Sequence, residues 1–144
     1  MKLTIILETG DENDIQGLIS NDYFSILEMA ESLDALIASF RCQIQDYIEH
    51  EGKDKAEWQS VNVAEIQFDF VATLDGLFDT FSFLKISTVA KEAGINPSLL
   101  RQYASGVKFP SLNVAQKIEQ TIHRLAQSML KMQVTHLSPS RISV

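Results

Sequence analysis

The chain has 144 residues and a formal net charge of −7, with 45% apolar and 22% charged residues. This composition is ordinary for a globular protein of one or two small domains and excludes a largely disordered chain. The longest apolar run near the start, Leu3 to Leu7, is too short for a signal peptide or a membrane helix. We therefore expect a cytoplasmic protein that binds no membrane. The single cysteine, Cys42, excludes an internal disulfide bond.

Charge divides the chain into two halves of opposite sign. Residues 1–72 hold 4 Lys/Arg and 15 Asp/Glu, a net of −11, whereas residues 73–144 hold 8 Lys/Arg and 4 Asp/Glu, a net of +4. We interpret the halves as two domains with different tasks. The basic half suits the phosphates of nucleic acid. The acidic half either suits a basic protein partner or is only a solvated acidic surface.

Short strands are predicted at the start of the chain. Leu3 to Leu7 is β-prone and ends in a polar loop over residues 9–14. Two further strands are predicted at Ile15 to Ser20 and Tyr23 to Leu27. Asn21-Asp22 between them indicates a hairpin turn.

A long helix and one more strand complete the acidic half. Ser32 is a suitable N-cap, Gly52 is placed to end the helix, and Lys53 to Ser60 is a polar connector. The apolar stripe has a helical period and consists of Leu33, Leu36, Ile37, Phe40, Ile44, Tyr47 and Ile48. Strict alternation from Glu65 to Phe70 then indicates a strand with one wet face. The prediction for residues 1–72 is an α+β domain, a small antiparallel sheet with one packed helix.

The pattern from Thr73 onward is entirely helical. A first helix begins there, and a second is predicted from Ser87 to Ala93. Asn96 is placed as the N-cap of a third helix, in which Pro97 takes the first position, where its missing N–H costs nothing. That helix is predicted to run to about Ser105.

The second and third helices carry a pattern typical of a helix-turn-helix. Ala90 is small, as close helix crossing requires, and Gly94 permits a left-handed backbone in the tight turn. Leu100 and Tyr103 are expected to anchor the third helix on the core. Ser98, Arg101 and Gln102 are then left on its outward face.

Pro110-Ser111 opens a fourth helix with a long apolar stripe. The stripe continues into the segment from Met129 to Met132, beyond what a small bundle needs. This segment is interpreted either as the seam of a dimer or as packing on the protein's own sheet domain. A homodimer or higher homo-oligomer is expected in any case, because operators mirror two-fold symmetry. Ser138 to Val144 is expected to be a frayed tail.

These motifs carry a resemblance to known families. Ile86 to Leu125 resembles the helix-turn-helix of the Cro/repressor (Xre-like) family, and the stretch from Gly106 to Ser111 is especially similar. The whole chain resembles the HicB-like antitoxins. That resemblance implies a partial ribonuclease H-like N-terminal domain and a C-terminal domain that represses its own promoter. It also implies that the N-terminal domain binds a small basic RNA-cleaving toxin. The "Pro-Gly-Cys"-like segment frequent in that family is absent here, where only Tyr23-Phe24-Ser25-Ile26 stands.

The resemblance also implies which residues meet DNA. The helix beginning at Pro97 enters the major groove of double-stranded DNA, where an arginine pairs with guanine, a glutamine with adenine, and a leucine meets a thymine methyl group. Lys108 in the following loop is expected at a phosphate, and Lys85 or Lys91 could add another. The six residues expected at DNA are Pro97, Ser98, Leu99, Arg101, Gln102 and Lys108. The alternative is that Arg101 and Gln102 contact only phosphate or point to solvent.

Enzyme chemistry has little support in the sequence. The three histidines are far apart, and there is no glycine-rich phosphate loop and no Cys–His pairing. The carboxylates of Asp11 and Glu12 are expected to be solvated in a loop. We therefore expect a protein that is not an enzyme and needs no metal or cofactor. Three functions stay open: an antitoxin-type autoregulator, a stand-alone transcription regulator whose N-terminal domain dimerises or senses a signal, and an interaction protein independent of nucleic acid.

Overall fold

The computed structural model describes residues 1–11 and 14–143. Within these residues the chain forms a four-stranded sheet and six α-helices, which confirms the α+β class. The strands are β1 (Lys2–Glu8), β2 (Ile15–Ser20), β3 (Ser25–Ala30) and β4 (Gln67–Ala72), in the order β3-β2-β1-β4. Of the loop predicted over residues 9–14, Glu12 and Asn13 lie outside the described residues, as does the terminal Val144.

The last strand runs in the direction opposite to the one predicted. β1 pairs antiparallel with β2, and β2 pairs antiparallel with β3, but β4 lies parallel to β1, with Lys2 opposite Gln67 and Leu7 opposite Ala72. The prediction of a purely antiparallel sheet is therefore wrong. The helical connection after β3 returns the chain to the end of the sheet where β3 began, so β4 runs in the same direction as β3. Two antiparallel steps separate β3 from β1, so β4 is parallel to β1 as well.

The connection between β2 and β3 is longer than predicted. The Asn21 side-chain oxygen accepts hydrogen bonds from the amides of Tyr23 (2.9 Å) and Phe24 (3.0 Å), which closes a compact turn. Ser20 pairs with Ser25, so four residues lie in the connection rather than two. An asparagine that bonds the backbone two and three residues ahead stabilises such a turn. Tyr23 and Phe24 are therefore turn residues, and β3 begins two residues later than predicted.

One helix covers one face of the sheet. Helix α1 (Leu33–Tyr47) begins at the predicted cap, where the Ser32 hydroxyl accepts a hydrogen bond from the Ala35 amide at 3.1 Å. It continues as a π-helical turn, Ile48–Gly52, which ends at the predicted glycine. A short helix α2 (Ala56–Gln59) follows in the predicted connector and places Trp58, 1% exposed, in the core. The core of residues 1–72 consists of Ile5, Leu7, Ile19, Leu36, Phe40, Ile44, Tyr47, Trp58, Val63 and Ile66.

The remaining helices enclose a second, separate core. They are α3 (Leu74–Thr80), α4 (Ile86–Ala93), α5 (Pro97–Ala104) and α6 (Leu112–Leu130), and each lies where a helix is predicted. A 3-10 turn, Pro139–Arg141, lies in the predicted tail. The second core consists of Phe78, Val89, Ala90, Leu100, Tyr103 and Ile118. In the described part of the chain, no helix is both long and apolar enough to cross a membrane.

The two halves meet where β4 gives way to α3. Thr73 precedes α3, and the Thr9 hydroxyl donates a hydrogen bond of 3.0 Å to the Asp75 carboxylate. Gly76 packs closely, since a Cβ there would lie 3.0 Å from the Leu7 carbonyl oxygen. Hydrogen bonds from the Thr73 and Thr9 hydroxyls lower the pKa of Asp75. A residue from each half therefore contributes to the environment of this one carboxylate.

Candidate nucleic-acid interface

The turn between α4 and α5 is built on a left-handed glycine. Gly94 has φ 68° and ψ 36°, a conformation in which residues with a Cβ are strained. Its amide donates to the Lys91 carbonyl at 3.2 Å, and the Ile95 amide donates to the Ala90 carbonyl at 2.9 Å. These bonds satisfy the last carbonyls of α4 and turn the chain sharply. The sequence-based prediction for Gly94 is confirmed.

Tight packing fixes the angle between the two helices. Ala90 on α4 and Leu100 on α5 are both fully buried, and Tyr103 is 8% exposed. Helix α5 packs against both α3 and α4, while α4 packs against α6. A small side chain at the crossing lets the two backbones approach, whereas a larger one would displace α5. The predicted core roles of Ala90, Leu100 and Tyr103 are confirmed.

Helix α5 begins with the predicted cap. The Asn96 side-chain oxygen accepts a hydrogen bond of 2.8 Å from the Ser98 amide, and Pro97 occupies the first helical position. This cap replaces one of the hydrogen bonds that a helix start leaves unmade. The first turn of α5 is thereby fixed in direction, and its outward side chains project from a rigid element.

The outward face of α5 carries most of the residues singled out from the sequence. Pro97, Ser98, Arg101 and Gln102 are exposed there. Leu99 is half-buried and packs on the second core, so it is the member of the set least free to reach a ligand. The other four, of which all but Pro97 are polar, form one continuous exposed edge along α5, which we call the α5 edge.

A second left-handed glycine ends α5 and projects the following loop. Gly106 has φ 76°, and the amides of Val107 and Lys108 both donate to the Gln102 carbonyl, at 3.1 and 3.3 Å. Lys108 is exposed in this loop. Val107 and Phe109 on either side of it are 73% and 72% exposed. The loop therefore presents Lys108 next to the α5 edge.

The α5 edge lies in a stretch without acidic residues. Residues 93–118 contain Arg101, Lys108 and Lys117 but no aspartate or glutamate. Among the described residues, the ion pairs are Lys2 with Asp69 and Arg124 with Glu92, so none of these three cations is in an ion pair. Arg124 lies 3.0 Å from the Glu92 carboxylate and neutralises this acidic group near the end of α4. The segment that carries the α5 edge is therefore basic although the whole chain is acidic, and the Asp75 carboxylate of α3 approaches its end, 3.6 Å from a Cβ built on Gly106.

Lys117 is a part of this surface that the sequence-based prediction missed. It lies on α6, yet a Cβ built on Gly94 would lie only 3.6 Å from its ammonium nitrogen. A lysine from a different helix thus adds a positive charge beside the turn that precedes α5. Lys85 and Lys91 are also exposed but lie on α4 or at its start. Only the tertiary packing of α6 identifies Lys117 as a neighbour of the α5 edge.

The opposite half presents a strongly acidic helix surface. Asp34 and Asp46 on α1, and Glu49, Glu51 and Glu57 after it, are exposed. Exposed Lys53 and Lys55 offset only part of this charge. Arg41 turns inward instead, where it donates a 3.0 Å hydrogen bond to the Ile66 carbonyl and lies over the Phe68 ring. We call α1 and the turns that follow it the acidic surface.

The described residues form surface grooves but no group suited to a metal ion. An apolar groove of about 690 Å³ lies between β4, α3 and α6, with Phe70, Leu77 and Phe109 in its lining. Another groove, of about 500 Å³, lies beside the β2–β3 turn, with Tyr23 and Asp46 in its lining. Within residues 1–11 and 14–143, no group of three or more His, Cys, Asp or Glu side chains is arranged to hold a metal ion.

Comparison of the chain with family models, with curated proteins and with solved structures gives no match.

Proposed function

We propose that this chain is a DNA-binding transcriptional autoregulator of the antitoxin type. Residues 73–144 form a helix-turn-helix domain of the Cro/repressor kind, and residues 1–72 form a domain that binds a small basic toxin. The observation that carries the proposal is the left-handed corner at Gly94, which directs a rigid, polar and acid-free helix edge outward. A helix held in this way fits the major groove of duplex DNA.

The α5 edge supplies the base-reading side chains. Arg101 and Gln102 carry the two side-chain types that pair bidentately with guanine and adenine, and Ser98 accepts or donates to several bases. Lys108 and Lys117 flank the edge and contact phosphates, which positions α5 without reading sequence. Leu99 acts as a packing residue that seats the helix rather than as a partner for a thymine methyl group, because it is half-buried.

Exposed apolar residues at the end of α6 support a dimer. Met129, Leu130, Met132 and Val134 are 61%, 85%, 76% and 99% exposed, so this segment is not packed on the protein's own sheet. A second copy that pairs along this seam would bury the segment and present two α5 edges related by a two-fold axis. Palindromic operators require such an arrangement.

Fluorescence anisotropy with a labelled duplex from the chain's own upstream DNA tests the proposal. Lys108 and Lys117 are the two proposed phosphate contacts, so together they should contribute about −1.8 per protomer to the slope of log K against log salt. Arg101→Ala should weaken discrimination of one base pair by about 1–3 kcal/mol. Lys108→Ala should weaken binding to all sequences alike. Lys53→Ala, an exposed lysine of the acidic half, is the matched control and should change nothing.

Two outcomes would contradict DNA binding by the α5 edge. One is the absence of any salt-dependent binding to duplex DNA. The other is an Arg101→Ala variant that folds normally, judged by circular dichroism, and binds with unchanged affinity and sequence preference. The first result would leave an interaction protein independent of nucleic acid as the better description, and the second would place the DNA contact on another surface of the chain.

The acidic surface is the proposed site for the toxin. A small basic protein encoded by the neighbouring reading frame should co-purify with the chain, and Asp46→Lys with Glu49→Lys should abolish the complex through charge repulsion. Asp69→Lys, on the opposite side of the sheet, is the matched control. If no such neighbour binds while DNA binding persists, the chain is a stand-alone regulator. The missing Pro-Gly-Cys-like segment favours that second candidate.

A further inference from the structure

The groove beside the β2–β3 turn combines aromatic rings with carboxylates. Its volume of about 500 Å³ lies within the range of ligand-binding pockets. Tyr23, Phe24 and Tyr47 supply its rings, and Asp46 and Glu51 supply its carboxylates. Within the described residues, the lining contains no lysine or arginine. Such a lining suits a cation that also contacts aromatic rings.

The π-helical turn at the end of α1 brings the two carboxylates to one groove. Asp46 lies in the last turn of α1, and Glu51 lies in the π-helical turn Ile48–Gly52. In an α-helix, residues five apart point in different directions, because the period is 3.6 residues. A π-helical turn joins residues five apart by hydrogen bonds, so it brings such a pair nearer to the same side. Turns of this kind are frequent at functional sites.

Gly52 allows this turn to close against the aromatic rings. A Cβ added at Gly52 would lie 2.9 Å from Cε1 of Tyr47 and 3.5 Å from Cβ of Trp58. Tyr47 and Trp58 are 7% and 1% exposed, so neither ring can move aside freely. The turn, and Glu51 with it, is thereby held beside the rings.

The chain's own Lys55 indicates that these rings accept a cation. Its ammonium nitrogen lies 5.4 Å from the centroid of the Tyr23 ring and 5.6 Å from that of the Tyr47 ring, within the range of cation–π attraction. It also donates a hydrogen bond of 3.1 Å to the Tyr47 hydroxyl. Lys55 does not neutralise the surroundings, because residues 43–57 hold 2 Lys and 5 Asp/Glu, a net of −3.

The groove also adjoins an unpaired strand edge. In the order β3-β2-β1-β4, β3 lies at the edge of the sheet and pairs with β2 on one side. The other side of an edge strand presents backbone N–H and C=O groups that an extended peptide can pair with. Such a peptide would point every second side chain towards the face that α1 covers. The groove lies there, since Ser25 and Ile26 of β3 and Gln43 of α1 line it.

We propose that this groove binds an arginine side chain of an extended, basic segment of the partner protein. The inference rests on the proposed binding of a basic protein to the acidic surface, and it names the side chain that this surface selects. A guanidinium group is planar, so it stacks on an aromatic ring while it donates hydrogen bonds to carboxylates. A lysine ammonium is a point charge and cannot do both in the same way.

His50 adds an acceptor to the same groove. Its Nδ1 donates a hydrogen bond of 2.9 Å to the Asp46 carbonyl oxygen, because a carbonyl only accepts. The tautomer with its proton on Nδ1 leaves Nε2 as an acceptor for a further N–H. Exposed ion pairs contribute little singly. The selection of arginine therefore depends on the rings, the carboxylates and this imidazole together.

Titration with short peptides, followed by NMR, tests the proposal. The probe is tri-arginine with both ends blocked, and tri-citrulline in the same form is the uncharged control of similar shape. Trp58 is the only tryptophan, and its ring centroid lies 5.6 Å from those of both Tyr23 and Tyr47, so its indole ¹H–¹⁵N signal reports on the groove. Tri-arginine should shift this signal and tri-citrulline should not. Tri-lysine should bind roughly fivefold more weakly or worse.

Charge-removing substitutions locate the binding site. Asp46→Asn and Glu51→Gln should each raise the dissociation constant of tri-arginine roughly three- to tenfold, because each removes a charge-assisted hydrogen bond. Asp34→Asn removes the same charge at the other end of α1 and is the matched control, which should bind as wild type. All three positions are exposed, so the fold should survive, as circular dichroism can verify.

Three results would overturn the groove as an arginine site. One is binding of tri-citrulline as tight as that of tri-arginine. Another is an equal loss in the Asp34→Asn and Asp46→Asn variants, which would indicate general attraction to the acidic surface. The third is tighter binding of spermidine than of tri-arginine, which would assign the groove to a small cation rather than to a protein segment.

Failure of this inference is distinguishable from failure of the proposed function. If a basic neighbour co-purifies but tri-arginine leaves the Trp58 signal unchanged, the partner stands and the groove is not its arginine site. If tri-arginine binds as expected and no basic neighbour co-purifies, the groove stands and the toxin is not its partner.

Discussion

The substitution Gly94→Ala isolates the energetic role of the turn before α5. An added Cβ would meet no atom closer than the Lys117 ammonium nitrogen at 3.6 Å, which is the end of a flexible side chain. The cost therefore comes from the backbone, where φ is +68° and an alanine is strained by about 1–2 kcal/mol. Alanine also stiffens the unfolded chain, which offsets about 0.4–1 kcal/mol. The free energy of unfolding should fall by about 1 kcal/mol, or about 3 °C in Tm.

Urea denaturation followed by circular dichroism at 222 nm measures this change. Tryptophan fluorescence is less suitable, because Trp58 lies in the core of the sheet half rather than in the helical half. Gly94→Asn is the matched variant, since asparagine tolerates left-handed backbone better than alanine does, and it should lose less than half as much. An alanine variant as stable as the wild type, or an asparagine variant less stable than alanine, would refute the reasoning.

Two further predictions concern the packing of the sheet half and its junction with the helices. Gly17→Ala should lower the free energy of unfolding by about 1–3 kcal/mol in urea denaturation, because the new Cβ would lie 2.9 Å from side-chain atoms of both Ile5 and Leu36. Asp75→Asn should lower stability at pH 7, with the difference from wild type shrinking below about pH 4. The pKa of Asp75 is lowered in the folded chain, so its contribution is present above the ordinary aspartate pKa and is lost as the pH falls through the lowered value. A difference that stays constant from pH 7 to pH 3 would contradict this assignment.

Local signals in the sequence predicted the elements well but not the way they pair. Ser32 and Asn96 were placed correctly as caps, because a cap depends on a side chain and an amide two or three residues away. The direction of β4 was predicted wrongly because it depends on where the helical crossover returns the chain. The start of β3 was missed since the Asn21 turn holds two aromatic residues that also suit a strand.

The same distinction applies to the candidate site. The α5 edge follows from helical periodicity, so Ser98, Arg101 and Gln102 could be placed on it from sequence alone. Lys117 could not, because its position beside Gly94 arises from the packing of α6 against α4. Leu99 is half-buried on the second core, and periodicity alone does not say how wide the buried stripe of an eight-residue helix is, so its expected contact with a thymine methyl group stays a prediction.

The net charge of −7 does not argue against DNA binding once the charges have positions. Screening confines the effect of an exposed charge to about 8 Å at physiological ionic strength, so a phosphate at the α5 edge responds mainly to nearby residues. Those residues include cations of the stretch 93–118, which has no carboxylate of its own, and the Asp75 carboxylate, which lies beside Gly106 at the end of α5. The acidic surface lies on α1 of the sheet half and not on the helix-turn-helix. Repulsion between the acidic surface and DNA acts over a long distance only at low ionic strength. The acidic surface also disfavours orientations that bring the sheet half toward the duplex. The same separation is compatible with both proposed partners, since a basic protein on the acidic surface would not neutralise the α5 edge.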